Sequence, residues 1–142
     1  MNNRRRLVIA LGAGALGLPL TAYAQTKVWR IGFLGPRKIA DVDKDAHFGA
    51  FRPAMRELGY VEGRNLIIEW RFADGKVERL PALAKELVDL KVDVIVAVAT
   101  TSALAAQKAT TTIPIVMVNV SDPVGQGLAR SFSHPGGNIT GL

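Results

Sequence analysis

Val92-Asp93-Val94-Ile95-Val96-Ala97-Val98-Ala99, followed at once by Thr100-Thr101-Ser102, is the stretch that decides the fold. Its first eight residues are apolar except for Asp93 and rich in valine. A near-continuous run of that kind marks a strand buried on both faces of a parallel sheet. The hydroxyl triplet then opens an alanine-rich helix to about residue 109, because Ser and Thr suit helix N-termini. A strand passing straight into a helix is half of a β-α-β unit.

The same alternation continues in both directions. Upstream, residues 77–90 form the clearest helix, with Leu80, Leu83, Ala84, Leu87 and Val88 on one face. Before it, residues 65–72 (NLIIEWRF) read as a strand. Residues 46–58 carry Phe48, Phe51, Met55 and Leu58 at helical spacing, with Asp45 as cap and Gly59 as stop. Pro53 lies inside that helix and is expected to kink it or delay its start. Residues 28–34 (VWRIGFL) form the first strand, ending at Gly35-Pro36. Downstream, residues 113–120 (IPIVMVNV) form a fourth strand. Ser121-Asp122-Pro123 is expected to start a helix to about residue 132, with Pro at its first position. His134-Pro135-Gly136-Gly137 makes a turn, and Asn138-Ile139-Thr140-Gly141 begins a fifth strand. The predicted fold class is α/β, a doubly wound parallel sheet with right-handed crossovers and helices on both faces. The chain stops just after its fifth strand has begun, so it is expected to be a fragment or a truncated gene product.

Residues 1–24 read differently. Arg4, Arg5 and Arg6 precede an uncharged apolar run over residues 7–20, and Ala22-Tyr23-Ala24 presents small residues for cleavage between Ala24 and Gln25. This is the plan of a secretory signal peptide. The run is shorter than the roughly 20 residues that a membrane span needs. The arginines fit the general or the twin-arginine export route. Gly12-Ala13-Gly14-Ala15-Leu16-Gly17 imitates a dinucleotide fingerprint, but Pro19 breaks the helix that should follow, and the first acidic residue is Asp41.

The leader also distorts the charge. The whole chain carries 18 basic and 12 acidic side chains, but three arginines lie in the leader, leaving 15 against 12. A dispersed +3 is poor support for nucleic-acid binding. Removing 24 of the 142 residues leaves 118, enough for one domain with a core. The chain has no cysteine, which excludes disulfides, thiolate metal sites, a cysteine nucleophile and a lipid-anchored cysteine at the cleavage point.

In an open parallel sheet, ligands bind at the carboxyl ends of the strands. The loops there are Gly35-Pro36-Arg37, Thr100-Thr101-Ser102 and Ser121-Asp122-Pro123. Hydroxyls and free N–H groups at a helix start suit an anionic group, or serve simply as caps. Asp122 suits a ligand ammonium, or again a cap. His47 and His134 have no spaced partner for catalysis or metal binding. Asp41, Asp43 and Asp45 alternate, but the Gly and Glu of a calcium loop are missing. Trp29 and Trp70 read as packing residues, and the sequon Asn138-Ile139-Thr140 is idle behind a bacterial-looking leader.

Several of these segments resemble one family. Phe51-Arg52, with Arg56-Glu57-Leu58-Gly59-Tyr60-Val61-Glu62-Gly63-Arg64-Asn65, is similar to a segment of the ABC-transporter substrate-binding proteins of the tryptophan/tyrosine type. The helix from Glu78 to Val88, the strands around Val94 and Ile115, Asp122-Pro123-Val124 and His134-Pro135-Gly136-Gly137-Asn138-Ile139-Thr140-Gly141 extend the likeness. The resemblance implies a type I periplasmic-binding fold, in which two doubly wound lobes close on a small solute. Residues 25–142 would form an incomplete N-terminal lobe. It further implies a soluble periplasmic receptor for an amino-acid-like solute, partnered by an ABC permease, with no cofactor, no metal and no catalysis. Gly35, Pro36, Thr100, Thr101, Ser102, Ser121 and Asp122 would hold the solute. The alternatives are an exported α/β enzyme, a sensory ligand-binding domain and a non-functional remnant.

Overall fold

The structure is a computed structural model that describes residues 26–141. The expected signal peptide, its Ala24–Gln25 cleavage point and the glycine pattern within it lie outside the described residues.

Five parallel strands form one sheet: β1 (Trp29–Gly35), β2 (Leu66–Phe72), β3 (Val94–Val98), β4 (Ile115–Val118) and β5 (Ile139–Gly141). Their order is β2-β1-β3-β4-β5. Ile31 stands beside Ile68 on one side and Val94 on the other, and Ile95 stands beside Ile115. The chain winds one way from β1 to β2 and the other way from β3 onward. The switch point is therefore at the carboxyl ends of β1 and β3, where such sheets open a crevice.

Alternation along the strands separates two faces. Leu34, Ile95, Ala97, Ile115 and Met117 point to the face covered by α2 (Leu80–Asp89) and α3 (Ala99–Ala109). Leu83, Ala84 and Leu87 of α2 and Ala103 and Ala106 of α3 complete that core. Gly32 of β1 makes the close approach possible, since a Cβ there would stand 2.8 Å from Leu87 Cδ2. The other face is aromatic. Phe33, Phe48, Phe51, Trp70 and Phe72 cluster there, with Phe33 and Trp70 stacked at 4.4 Å.

Three expectations are corrected. The helix over residues 46–58 is reduced to α1 (Phe51–Glu57), with turns over residues 46–50. Pro53 explains the late start: in the third helical position its missing N–H leaves no intrahelical bond unmade. The helix expected from Ser121 to residue 132 does not form; this segment is turns and bends. The Asp122 carboxylate accepts the Gly125 N–H at 2.9 Å, and the αL backbone at Asp122 (φ 47°) starts a turn in place of a helix. Finally, β3 is sealed on one face only. Ile95 and Ala97 are fully buried, whereas Val94, Val96 and Val98 are half-buried, because α1 and its preceding loop sit over β1 and β2.

The motif around Asn138 has a structural role. Its side-chain amide donates to Ile113 O at 2.8 Å and Thr110 O at 3.3 Å, and its carbonyl accepts the Ile115 N–H at 2.8 Å. These bonds register β5 against β4. No helix among the described residues is long and apolar enough to cross a membrane.

Candidate functional site

A cavity of about 590 Å³ opens at the switch point. Pro36 and Arg37 reach it from the end of β1, Val98 and Ala99 from the junction of β3 with α3, and Val118 and Asn119 from the end of β4. His47 and Phe48, in the loop before α1, close the fourth side.

The strand ends share one backbone device. Ala99 (φ 69°) and Asn119 (φ 55°) are both left-handed, and both line the cavity. For alanine that conformation costs about 1–2 kcal/mol, whereas asparagine tolerates it better. At Ala99 it lets the chain turn from strand into helix with no intervening loop. The first N–H groups of α3 have no intrahelical acceptor and lie at the positive end of its dipole.

Arg37 and His47 are the ionisable residues of the wall, and no carboxylate among the described residues lines it. Asp45 stands behind them. Its carboxylate accepts the N–H groups of His47 at 2.9 Å and Phe48 at 3.3 Å, and lies 3.9 Å from the Arg37 guanidinium. The His47 N–H, then the Phe48 N–H and the Arg37 charge, hold the Asp45 carboxyl below its ordinary value. Asp45 therefore orients the wall and stays anionic at neutral pH.

The residues expected to bind ligand fall in different places. Pro36 lines the cavity. Gly35 is buried at the end of β1, close to the Phe72 ring. Thr100 Oγ1 accepts the Ser121 N–H at 3.2 Å, tying the β3 and β4 loops together beside the cavity. Thr101 is exposed. Ser102 is fully buried, and its Oγ has no hydrogen-bond partner among the described residues. Asp122 is exposed and engaged with Gly125. Asp41, Asp43 and Asp45 do not converge: they serve the Asp43 N–H, Arg52 and the His47 turn respectively.

The sequence places Arg37 in the ligand-facing loop after β1 without marking it as a solute contact, and it gives no expectation of His47, Phe48 or Asn119 in the wall. Asn119 carried a signal, being the one amide in the apolar run IPIVMVNV. His47 and Phe48 carried none, because a loop 12 or 13 positions past the end of β1 folds back onto it.

A family model described as ABC transporter substrate binding protein matches residues 40–142. A tyrosine-binding protein of Clostridioides difficile (strain R20291) is 41% identical over 91 residues, which are 64% of this chain and 26% of that protein. The crystal structure of a conserved domain protein from Vibrio cholerae matches with a TM-score of 0.74 at 34% identity, over 82% of this chain and 38% of that one. An ABC domain from Streptococcus pneumonia in complex with L-Trp matches with a TM-score of 0.72 at 27% identity, again over 82% and 38%. The chain thus spans well under half the length of each.

Proposed function

We propose a solute-receptor role for this chain, which belongs to the ABC transporter substrate-binding protein family. Its fold is that of type I periplasmic-binding proteins. In this reading residues 25–142 supply one wall of a two-lobed receptor exported by the leader, which delivers its solute to an ABC permease outside the cytoplasm. The role is binding, without turnover.

The solute is an amino acid or a similar small organic acid. One observation carries this reading: among the described residues the cavity at the switch point has one guanidinium, one imidazole and a helix N-terminus on its rim, and no carboxylate. A ligand carboxylate would take the α3 N–H groups near Thr100 and Thr101 with Arg37 opposite. Phe48, Val98 and Val118 would cover an apolar side chain. The names of two relatives, one tyrosine-binding and one solved with L-Trp, support the same class. Ligand pockets bury most of a ligand's surface, so one wall alone binds weakly.

Thermal-shift titration with L-tyrosine and L-tryptophan, set against tyramine and tryptamine, tests this. The amino acids should raise the midpoint and the decarboxylated amines should not. Equal shifts from both sets, or none from any, would remove the carboxylate reading.

A further inference from the structure

Arg52 lies outside the cavity yet holds the segment that walls it. Its Nη1 is 2.6 Å from Asp43 Oδ1, and its Nε is 2.7 Å from Glu62 Oε2. The guanidinium carbon is 5.6 Å from the centre of the Trp70 ring. Such charge-assisted bonds are the strong class, and Asp43 first, then Glu62, holds Arg52 more firmly protonated than usual.

The two carboxylates belong to different parts of the molecule. Glu62 sits in the turn after α1 and bridges to Leu66 at the start of β2, so it is part of the scaffold. Asp43 sits in the 3₁₀ turn Val42–Lys44, on the segment that goes on to carry His47 and Phe48 into the cavity wall. That segment is tied to itself by its own backbone. The Gly49 N–H donates to Asp45 O at 2.8 Å. A Cβ on Gly49 would meet Asp43 O at 2.5 Å, so the backbones of Asp43 and Gly49 are pressed together. Phe48, next to Gly49, packs edge-on against Phe33 at 6.0 Å and Trp70 at 6.2 Å. Asp43 is 62% exposed. A pair open to solvent adds little to global stability, so its effect belongs to the local order of this segment.

We infer that Arg52 is a positioning residue: a latch, fixed at Glu62 and releasable at Asp43, that sets the place of His47 and Phe48 on the cavity. Its effect on solute affinity rests on the receptor reading above; its effect on the segment does not.

The test compares the chain with its Asp43→Asn, Arg52→Ala and Arg52→Lys variants. Amide hydrogen exchange over residues 41–49 should speed up by up to about fivefold in Asp43→Asn, the factor expected for one lost pair, and by at least as much in Arg52→Ala, which loses the Glu62 pair as well. Exchange in β1 and β3 should stay unchanged, and Arg52→Lys should restore part of the protection. Emission of Trp70, read in a Trp29→Phe background that leaves it the sole tryptophan, should shift in Arg52→Ala. L-Tyrosine affinity should fall in parallel with the loss of protection. Unchanged exchange over residues 41–49, or exchange rising equally through β1 and β3, would overturn the latch. If the unmodified chain binds no L-tyrosine, the receptor reading fails and the exchange data still decide the latch.

Discussion

Arg30 and Asp93 clasp each other across β1 and β3: the Arg30 N–H donates to Asp93 Oδ2 at 2.8 Å, and the Asp93 N–H donates to Arg30 O at 2.7 Å. Asp93 is the lone acidic residue in the run that decides the fold, and this clasp sets the starting register of the two central strands. Lys27 adds an ion pair at 2.9 Å.

A pH dependence follows from the clasp. The Lys27 ammonium first, and the Arg30 N–H second, hold the Asp93 carboxyl below its ordinary value of 3.8. Between those values the unfolded chain binds the proton and the folded one does not, so stability rises with pH. The contribution is complete above pH 3.8 and is lost as pH falls through the lower folded value. Asp93→Asn should lower the melting midpoint at pH 6 and should flatten its decline below about pH 4. Parallel acid limbs for the two proteins would count against the clasp.

The tie between Thr100 and Ser121 gives a second expectation. Thr100→Val keeps the shape and removes the acceptor of the Ser121 N–H. Chemical denaturation should show a loss of about 1 kcal/mol, the net worth of one such bond. Thr100→Ser should lose less, because it keeps the hydroxyl.

Ala99 tests the cavity rim. Its left-handed backbone excludes a β-branched side chain. Ala99→Val should cost about 2 kcal/mol or more in urea denaturation, whereas Ala99→Gly should lie within about 1 kcal/mol of the parent. Equal stability of the valine and glycine variants would mean that the junction is not left-handed in solution.

Gly32 and Leu87 should be energetically coupled. Gly32→Ala sets a methyl against Leu87 and should cost about 1–3 kcal/mol by overpacking. Leu87→Ala opens a cavity of its own at about 2–5 kcal/mol. In the double variant each change relieves the other, so the measured loss should be smaller than the sum.

The sheet was legible because its signal is local. Valine-rich runs, apolar helical spacing and glycine stops all act within a few residues. All five strands stand where their runs predicted, and α2 keeps the face that Leu80, Leu83, Ala84 and Leu87 announced. The misreadings occurred where two local rules compete. Asp122-Pro123 fits a helix start and an Asp-capped turn equally well, and Gly125 and Gly127 tip it toward the turn. Asp45 fits a helix cap, but Pro53 moves the helix onward and leaves Asp45 to cap the His47 turn. Of the site, the location at the strand ends could be read from topology alone. Its wall at His47 and Phe48 could not, because a distant loop returns to it through aromatic packing and the Arg52 pairs.

The central claim, that a solute carboxylate docks at the ends of β1, β3 and β4, is tested most directly by following backbone amide NMR signals during an L-tyrosine titration. Even weak binding is visible by this means. The largest shifts should fall on Arg37, Ala99, Thr100, Thr101 and Asn119, and tyramine should not reproduce them. Shifts centred instead on Gln107, Thr111 and Gly137, around the cavity at the amino end of β5, or no saturable shifts at any residue, would contradict it.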